Sequence, residues 1–163
     1  SYLDPETEEF LGLEARSIAA GDVKAIDGEV ISLGVLRSTE ELRQGDRLLP
    51  TEDRVINSTF TPSKPDTDIR GKMISVDSGV GNIGQYNVVT INRGTREGVK
   101  EGNVLAIYKA GGYVRDPYTK EKIELPSERA GLLMVFRVFE KLSYGLILKA
   151  TRPLHIMDEV RTP

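Results

Sequence analysis

The 163-residue sequence contains no cysteine, no tryptophan and a single histidine, His155. Without cysteine there is no disulfide framework, no thiolate metal site and no cysteine nucleophile. Without tryptophan, a carbohydrate site built on stacked indole rings is not available. No apolar run approaches the ~20 residues that span a bilayer, so we expect no membrane-spanning segment. We find neither an initiator methionine nor a signal peptide, and expect the signal of an exported parent protein to lie upstream of Ser1.

The charges are numerous but locally balanced. Charged residues make up 29% of the chain and the net charge is −3. Basic and acidic residues alternate, as in Lys120-Glu121-Lys122, which is typical of solvated faces. Proteins that bind duplex nucleic acid present a basic face, and none is visible here, so we expect no nucleic-acid partner.

An internal repeat organises the chain. Three β-rich runs each end in a basic residue with a threonine two positions later, and the threonines Thr39, Thr95 and Thr151 are evenly spaced. A Gly-Asp-like turn follows each threonine and opens another apolar strand. The polar residues of these turns are Asp46, Asn103 and Asp158. We expect each to cap its own turn through local side-chain-to-backbone bonds rather than to join a reactive carboxylate cluster.

The repeat predicts an all-β fold made of small barrel-like or sandwich modules. About three strand–strand–turn–strand units would build these modules, with at most short helical turns. One such turn is predicted by the capping-box pattern Ser38-x-x-Glu41, which Gly45 could terminate. Alternation and β-branched content predict strands over 10–18, 29–37, 46–49, 70–77, 86–92, 103–109, 130–141, 143–150 and 158–161.

A second echo links the N-terminus to a later segment. The stretch Leu3–Glu9 resembles Arg115–Glu121, and each has Asp followed by Pro, a signal of a type I turn. A predicted strand precedes the later copy, whereas only Ser1-Tyr2 precede the earlier one. We therefore expect the native chain to have a strand upstream of this sequence.

The domain boundaries follow from one polar segment. Residues 57–68 contain two prolines and show no periodicity, and are predicted to be a linker. Residues 1–56 would form a first β unit, truncated at its N-terminus. Residues 69–163 would hold the second and third units, packed as one β domain. Alternatively, the linker wraps over the surface of the protein.

The motifs that could carry chemistry are weak. Residues Gly79–Gly84 match the dinucleotide-binding glycine pattern, but a strand pattern follows them where a helix is needed. His155 lies between Leu154 and Ile156 with no nucleophile motif and no cluster of ligands at metal-binding spacing. Arg37, Arg93 and Lys149 are interpreted as exposed charges at strand ends. We therefore assign no catalytic, cofactor-binding or metal-ligating residue, and expect no cofactor and no enzyme.

Several segments together resemble one protein family. The sequence is similar to the C-terminal region of proteobacterial LysM-domain proteins, and the resemblance extends over nearly the whole chain. It is carried by the segments Val88–Val99, Gly102–Tyr108, Leu125–Gly131, Met134–Phe139, Ser143-Tyr144, Ala150–Pro153 and Gly45–Pro50. The resemblance implies an exported protein of the bacterial periplasm or cell envelope, whose LysM module grips peptidoglycan. No segment here resembles a LysM module, so no glycan-binding residue can be transferred.

These observations favour a non-catalytic accessory or scaffold module of an exported LysM-type envelope protein. Its partners would be envelope proteins, or peptidoglycan through the missing LysM module, and exposed strand edges make self-association plausible. Two alternatives remain open at this point. One is an envelope hydrolase that uses paired carboxylates, and the other is a β-barrel that holds a small ligand.

Overall fold

The computed structural model describes residues 1–51, 59–77, 83–109 and 113–163, and these residues form an almost entirely β structure. The predicted all-β fold class is confirmed. The elements are β1 (Tyr2–Leu3), β2 (Phe10–Gly12), β3 (Ala19–Asp27), β4 (Val30–Ser38), β5 (Arg70–Val76), β6 (Val88–Ile91), a 3-10 helix (Thr95–Glu97), β7 (Val104–Lys109), β8 (Tyr113–Arg115), β9 (Lys122–Glu124), β10 (Glu128–Val138), β11 (Ser143–Ala150) and β12 (Glu159–Arg161).

Six strands close into an antiparallel barrel in the order β10-β11-β6-β5-β12-β7. The barrel consists of two three-stranded halves, β5–β6–β7 and β10–β11–β12. In each half the first two strands form a hairpin, while the third strand pairs with the first strand of the other half. The halves therefore interlock, and neither half satisfies the edges of its own strands alone.

Apolar side chains fill the barrel interior, because alternate residues of each strand point inward. Met73, Val89, Leu105, Leu133 and Ile147 are all fully buried. They belong to five different strands, so one continuous core joins the two halves. Deleting buried apolar groups from such a core costs about 2–5 kcal/mol for a leucine-to-alanine change.

The chain divides into two compact units, and the division differs from the predicted boundaries. One unit is Ser1–Leu13 together with Asn57–Pro163, and the other is Glu14–Ile56. The prediction placed residues 1–56 in one unit because they are contiguous. The structure groups the first thirteen residues with the barrel because side chains of the β1–β2 hairpin bond to barrel residues.

The described part of the predicted linker, 59–68, lies on the barrel. The Ser63 backbone pairs with Gly102 and Val104 (N–H···O 2.9 Å in both bonds). The hydroxyl of Ser63 accepts a bond from the Asn103 amide at 3.0 Å. These bonds favour the alternative in which this segment wraps the surface. Residues 57 and 58 lie outside the described residues.

The unit Glu14–Ile56 contains the β3–β4 hairpin, and two predictions for this part of the chain were wrong. The strand predicted over 10–18 ends at Gly12, and the next strand begins at Ala19. Asp22 and Lys24 interrupt the apolar pattern of β3, which hid this strand. The strand predicted over 46–49 does not form, because a strand needs a neighbour to satisfy its backbone groups.

The helical turn predicted after Ser38 is also absent. Residues 39–45 contain a bend and a turn but no helix, and the Ser38 hydroxyl donates to the Glu40 carbonyl. The 3-10 helix lies instead at Thr95–Glu97, where Glu97 accepts the N–H of Gly94 at 2.8 Å. The capping-box pattern thus marked the right type of turn in the wrong repeat.

The predicted local capping by the three repeated turn residues is confirmed. In each turn a side-chain oxygen accepts the N–H of the residue three positions earlier. The distances are 2.8 Å for Asp46, 2.9 Å for Asn103 and 2.8 Å for Asp158. Asn87 makes the same bond at 2.7 Å, so a fourth corner exists that the sequence analysis missed.

The third residue of each corner has a positive φ, as a type II turn requires. Gly45 and Gly102 occupy this position in two corners, and Tyr86 and Met157 occupy it in the other two. Tyr86 and Met157 thus adopt a conformation that costs about 1–2 kcal/mol for a residue with a Cβ atom. Strands β6, β7 and β12 begin directly after three of these corners.

We expect Gly102→Ala to lower the free energy of unfolding by at least about 2 kcal/mol. Gly102 has φ +89°, and an added Cβ would meet the Thr61 carbonyl oxygen at 2.5 Å. Gly45→Ala is the matched control, since Gly45 also has positive φ but has no atom within 4 Å of an added Cβ. Urea unfolding of both variants checks this, and equal losses would contradict it.

Candidate docking site of the Asp-Pro hairpins

The N-terminal Asp-Pro hairpin consists of β1, β2 and the loop between them. The Asp4 carboxylate accepts the N–H groups of Glu6 and Thr7 at 2.9 Å and 3.1 Å. The Asp4 carbonyl accepts the N–H of Glu8 at 2.9 Å, and Glu8 has φ +58°. The Glu9 N–H donates to the Thr7 hydroxyl at 3.4 Å. Asp4 therefore fixes the conformation of the loop through bonds to the residues that closely follow it in the chain.

The C-terminal Asp-Pro hairpin, β8, β9 and their loop, repeats this pattern. The Asp116 carboxylate accepts the N–H groups of Tyr118 and Thr119 at 2.7 Å and 3.1 Å. Lys120 donates its N–H to the Asp116 carbonyl at 3.0 Å and has φ +61°. The Glu121 N–H donates to the Thr119 hydroxyl at 3.3 Å. The two loops predicted from the sequence to be related thus have one conformation.

The N-terminal hairpin is docked on the barrel through Asp4. Its second carboxylate oxygen accepts a bond from the Asn92 amide at 2.8 Å and lies 3.4 Å from the Arg93 guanidinium. Asn92 is fully buried at the end of β6, and its own side-chain oxygen accepts the Lys72 N–H at 2.6 Å. Asn92 is therefore fixed by the sheet and presents its amide in one direction.

Ion pairs surround this central contact. Glu9 lies 3.0 Å from the Arg96 guanidinium and 2.7 Å from the Lys141 ammonium. Glu6 pairs with Lys72 at 2.7 Å. We define the docking site as the barrel residues that receive the hairpin: Lys72, Asn92, Arg93, Arg96 and Lys141. Four of the five carry a positive charge, which complements the acidic loop.

An apolar seam runs beside the polar contacts. Leu11 of β2 and Leu142 of the β10–β11 turn are both nearly buried. Phe139 and Tyr144 meet edge to face with ring centroids 5.5 Å apart. A half-open cleft of about 410 Å³ lies here, lined by Tyr2, Phe10, Leu11, Gly12, Leu13, Phe139, Glu140, Lys141, Leu142 and Tyr144. The seam gives the hairpin an apolar anchor.

The C-terminal hairpin has no such surroundings. Tyr118 at its tip is 91% exposed, and Tyr113, Val114 and Ile123 are exposed as well. Neither Asp116 nor Glu121 has a charged partner among the described residues. These two carboxylates occupy the loop positions that Asp4 and Glu9 occupy in the docked copy. This hairpin therefore presents the same polar groups, but without the partners that the docked copy has.

The electrostatics of the docked loop favour its ionised form. Burial by itself raises the pKa of Asp4, but bonds from Glu6, Thr7 and Asn92, with the charge of Arg93, outweigh it and hold the pKa below its usual value. Bonds from Arg96 and Lys141 lower the pKa of Glu9 to about 2. The bonds of Arg96 to Glu9 and Glu97 raise the pKa of Arg96.

The sequence analysis missed this site. Arg93 was interpreted as an exposed strand-end charge, but it is half-buried against Asp4. The repeated Asp-Pro loop was the sequence signal for the site, but the sequence did not indicate which surface the loop contacts. Asn92 and Lys141 lie 49 residues apart in the chain and carry no motif (141 − 92 = 49).

The candidate residues of the sequence analysis lie elsewhere. The His155 N–H donates to Asp158, and the ring lies 3.1 Å from the Lys109 ammonium. Gly84 begins a corner that leads into β6, while residues 79–82 of the glycine motif lie outside the described residues. Within the ranges that the structure describes, no group of three or more acidic or histidine side chains is placed to hold a metal ion.

Comparisons with known proteins leave the family open. No protein-family model matches the chain, and no curated protein matches it either. No helix in the described ranges is both long enough and apolar enough to cross a membrane.

We expect Asp4→Ala to be far more destabilising than Asp116→Ala. Asp4→Ala leaves the buried Asn92 amide unpaired and removes the loop bonds, which costs about 2–3 kcal/mol in total. Asp116→Ala removes only exposed loop bonds and should cost about 1 kcal/mol or less. Urea unfolding of the two variants checks this difference, and equal midpoints would contradict a docked role for Asp4.

Acid should release the N-terminal hairpin. The docked forms of Asp4 and Glu9 have pKa values below their ordinary values of 3.8 and 4.5. Docking stability is therefore fully present above these ordinary values and declines as pH falls toward the folded pKa, about 2 for Glu9. NMR shifts of the β1–β2 amides should move between pH 4.5 and 2. Shifts that stay constant to pH 2 would refute this.

Proposed function

We propose that this chain is a non-catalytic interaction module that docks onto a partner protein through its C-terminal Asp-Pro hairpin. The observation that carries the proposal is the pair of matching loops, one docked and one free. Because the loops share a conformation, the free loop is already organised for the contact that its twin makes. A preformed loop loses little conformational entropy on binding.

The docked copy describes the surface that the partner should present. Asp116 would receive an amide or guanidinium donor, as Asp4 does from Asn92 and Arg93. Glu121 would meet a lysine or arginine, as Glu9 meets Lys141 and Arg96. The exposed Tyr118 and Ile123 would supply apolar contact area. The partner is therefore a basic protein surface beside an apolar seam.

We place this module in an exported LysM-type protein of the bacterial periplasm or cell envelope. The support for this context is the sequence resemblance to the C-terminal region of proteobacterial LysM-domain proteins. In that setting a LysM module would hold the parent protein on peptidoglycan, and the barrel would recruit or position another envelope protein. In this arrangement the LysM module would bind the wall, and the chain described here would act as the accessory or scaffold module.

The two alternative functions have less support. A cleft of about 330 Å³ has Glu6 and Glu159 in its lining. A glycosidase acid needs a raised pKa, whereas the bond to Arg161 lowers the pKa of Glu159. Glu6 in the same cleft is paired with Lys72. A ligand-binding barrel needs an open interior, and buried side chains such as Met73 and Leu133 occupy this one.

Photo-crosslinking tests the proposal directly. A benzoylphenylalanine residue would replace Tyr118 in the full chain, which is then mixed with a proteobacterial envelope fraction and irradiated. We expect one discrete crosslinked protein, lost when Asp116→Ala and Glu121→Ala are introduced together. That protein should carry lysine or arginine at the crosslinked surface.

The matched control places the same photoreactive residue at Tyr86, which is also exposed but lies on a barrel corner. We expect no discrete product from that position. Identical products from both positions, or a product that persists without Asp116 and Glu121, would refute the hairpin as the docking element. Co-sedimentation with purified peptidoglycan sacculi would instead point to glycan as the ligand.

A further inference from the structure

The unit Glu14–Ile56 is built like half of the barrel. Residue n of its hairpin corresponds to residue n + 112 of β10–β11, so that Thr39 matches Thr151. The pairs Ala19–Ser38 and Ala20–Arg37 of β3–β4 match Gly131–Ala150 and Leu132–Lys149 of β10–β11. Every later pair of β3–β4 through Ile26–Ile31 has its counterpart in the barrel hairpin. The correspondence thus holds at the level of hydrogen-bond register.

The irregularities of the two hairpins correspond as well. The register of β3–β4 shifts after Ala20 and again after Val23. The register of β10–β11 shifts after Leu132 and again after Val135, at the same relative places. Because a bulge bends its strand and increases its twist, β3–β4 has the two bends that curve β10–β11 around the barrel.

The segments that follow the hairpins also correspond. The Thr39 N–H and hydroxyl both donate to the Ile18 carbonyl, at 2.8 Å and 3.0 Å. The Thr151 N–H and hydroxyl donate to the Ala130 carbonyl at the same two distances. The corner at Asp46 then repeats the corner at Asp158. The match therefore extends from the hairpin to the start of a third strand.

The inward positions of the two units differ in burial but not in character. In the barrel these positions include the buried residues Val135, Ile147, Leu154 and Val160. The matching residues of the other unit are Val23, Val35, Leu42 and Leu48, and they are between 48% and 72% exposed.

The opposite face of the hairpin is more polar. Asp22 and Lys24 form an ion pair at 2.8 Å, and they match Met134 and Phe136, whose side chains are only partly buried in the barrel. Leu36, which is 70% exposed, also lies on this face. The hairpin therefore has one apolar face and one mixed, solvated face, with the apolar face on the side that the barrel buries. Exposed apolar patches of this kind mark interaction sites.

We propose that this apolar face binds a three-stranded β segment of the same type as β5–β6–β7, which completes a second barrel. In the described barrel β10 pairs with β7, β11 pairs with β6, and β12 lies between β5 and β7. No described residue supplies these neighbours to β3, β4 or residues 46–49. The missing complement also explains why residues 46–49 do not form a strand.

The repeat favours this occupant over a second copy of the same unit. The β5–β6 hairpin has three paired positions with a single register shift, whereas β3–β4 shares both shifts of β10–β11. The unit thus has the identity of a β10–β11–β12 half, and the half that interlocks with it is of the β5–β6–β7 type. This inference is independent of the hairpin docking proposed above.

The position of the complement in a polypeptide follows from the same correspondence. In the barrel the chain leaves β7 at Lys109 and begins β8 at Tyr113. Because Ser1 matches Tyr113, a complement on the same polypeptide would be joined directly ahead of Ser1. This defines an extended chain that can be made from the sequence in hand, with a second copy of residues 59–112 fused to Ser1.

Hydrogen exchange of the full chain and the extended chain tests the proposal. In the full chain we expect peptides from β3 and β4 to exchange within seconds. In the extended chain we expect the same peptides to exchange at least 100-fold more slowly. Unchanged exchange of β3 and β4 in the extended chain would overturn the proposal.

Two substitutions in the extended chain separate the faces of the hairpin. Val23→Asp places a carboxylate at the position of the buried Val135 and should abolish the protection. Ala25→Asp is the matched control, because its counterpart Arg137 already carries a charge, and protection should persist. Protection of β10 and β11 in both variants shows that the original barrel is folded, so a loss confined to β3 and β4 is interpretable.

Sedimentation velocity of the full chain tests the competing occupant. We expect a monomer whose β3–β4 amides exchange rapidly. A dimer with protected β3–β4 amides would assign the face to a second copy and would overturn the three-stranded complement.

Discussion

The same side-chain-to-backbone hydrogen bond holds the turns that directly precede three barrel strands, β6, β7 and β12. A side-chain oxygen accepts the N–H of the residue three positions earlier, and so holds a corner in which the third residue has positive φ. These corners aim β6, β7 and β12 at their partners. Strands β7 and β12 pair with strands of the opposite half. The barrel can therefore close only if the corners orient these two strands toward those partners.

The docked hairpin also depends on a side-chain oxygen that accepts hydrogen bonds, but here one of the bonds comes from a residue far away in the chain. Asp4 uses one carboxylate oxygen to shape its own loop and the other to bind Asn92. Local folding and docking are therefore coupled through a single residue. Because the Asn92 side chain is itself held by the Lys72 backbone, the contact joins the hairpin to strand β5 of the sheet.

The sequence allowed the fold class, the corners and the two related loops to be predicted, because each depends on neighbouring residues. Asp46, Asn103 and Asp158 bond within three residues, so a short motif contains the whole interaction. The docking site could not be predicted in this way, because only the barrel fold brings Asn92 and Lys141 to the same hairpin. The boundaries of β3 were missed because Asp22 and Lys24 lie on its solvated face, and the segment 46–49 shows that β propensity without a partner strand is insufficient.

The exchange of third strands between the halves has a consequence for the order in which the molecule is made. Strand β12 is the last of the six barrel strands in chain order, and it is the one that lies between β5 and β7. Until β12 has left the ribosome, two barrel edges and the core beneath them stay open. Closure therefore follows translation of the sixth barrel strand, and the nascent barrel needs protection from aggregation until that strand is available.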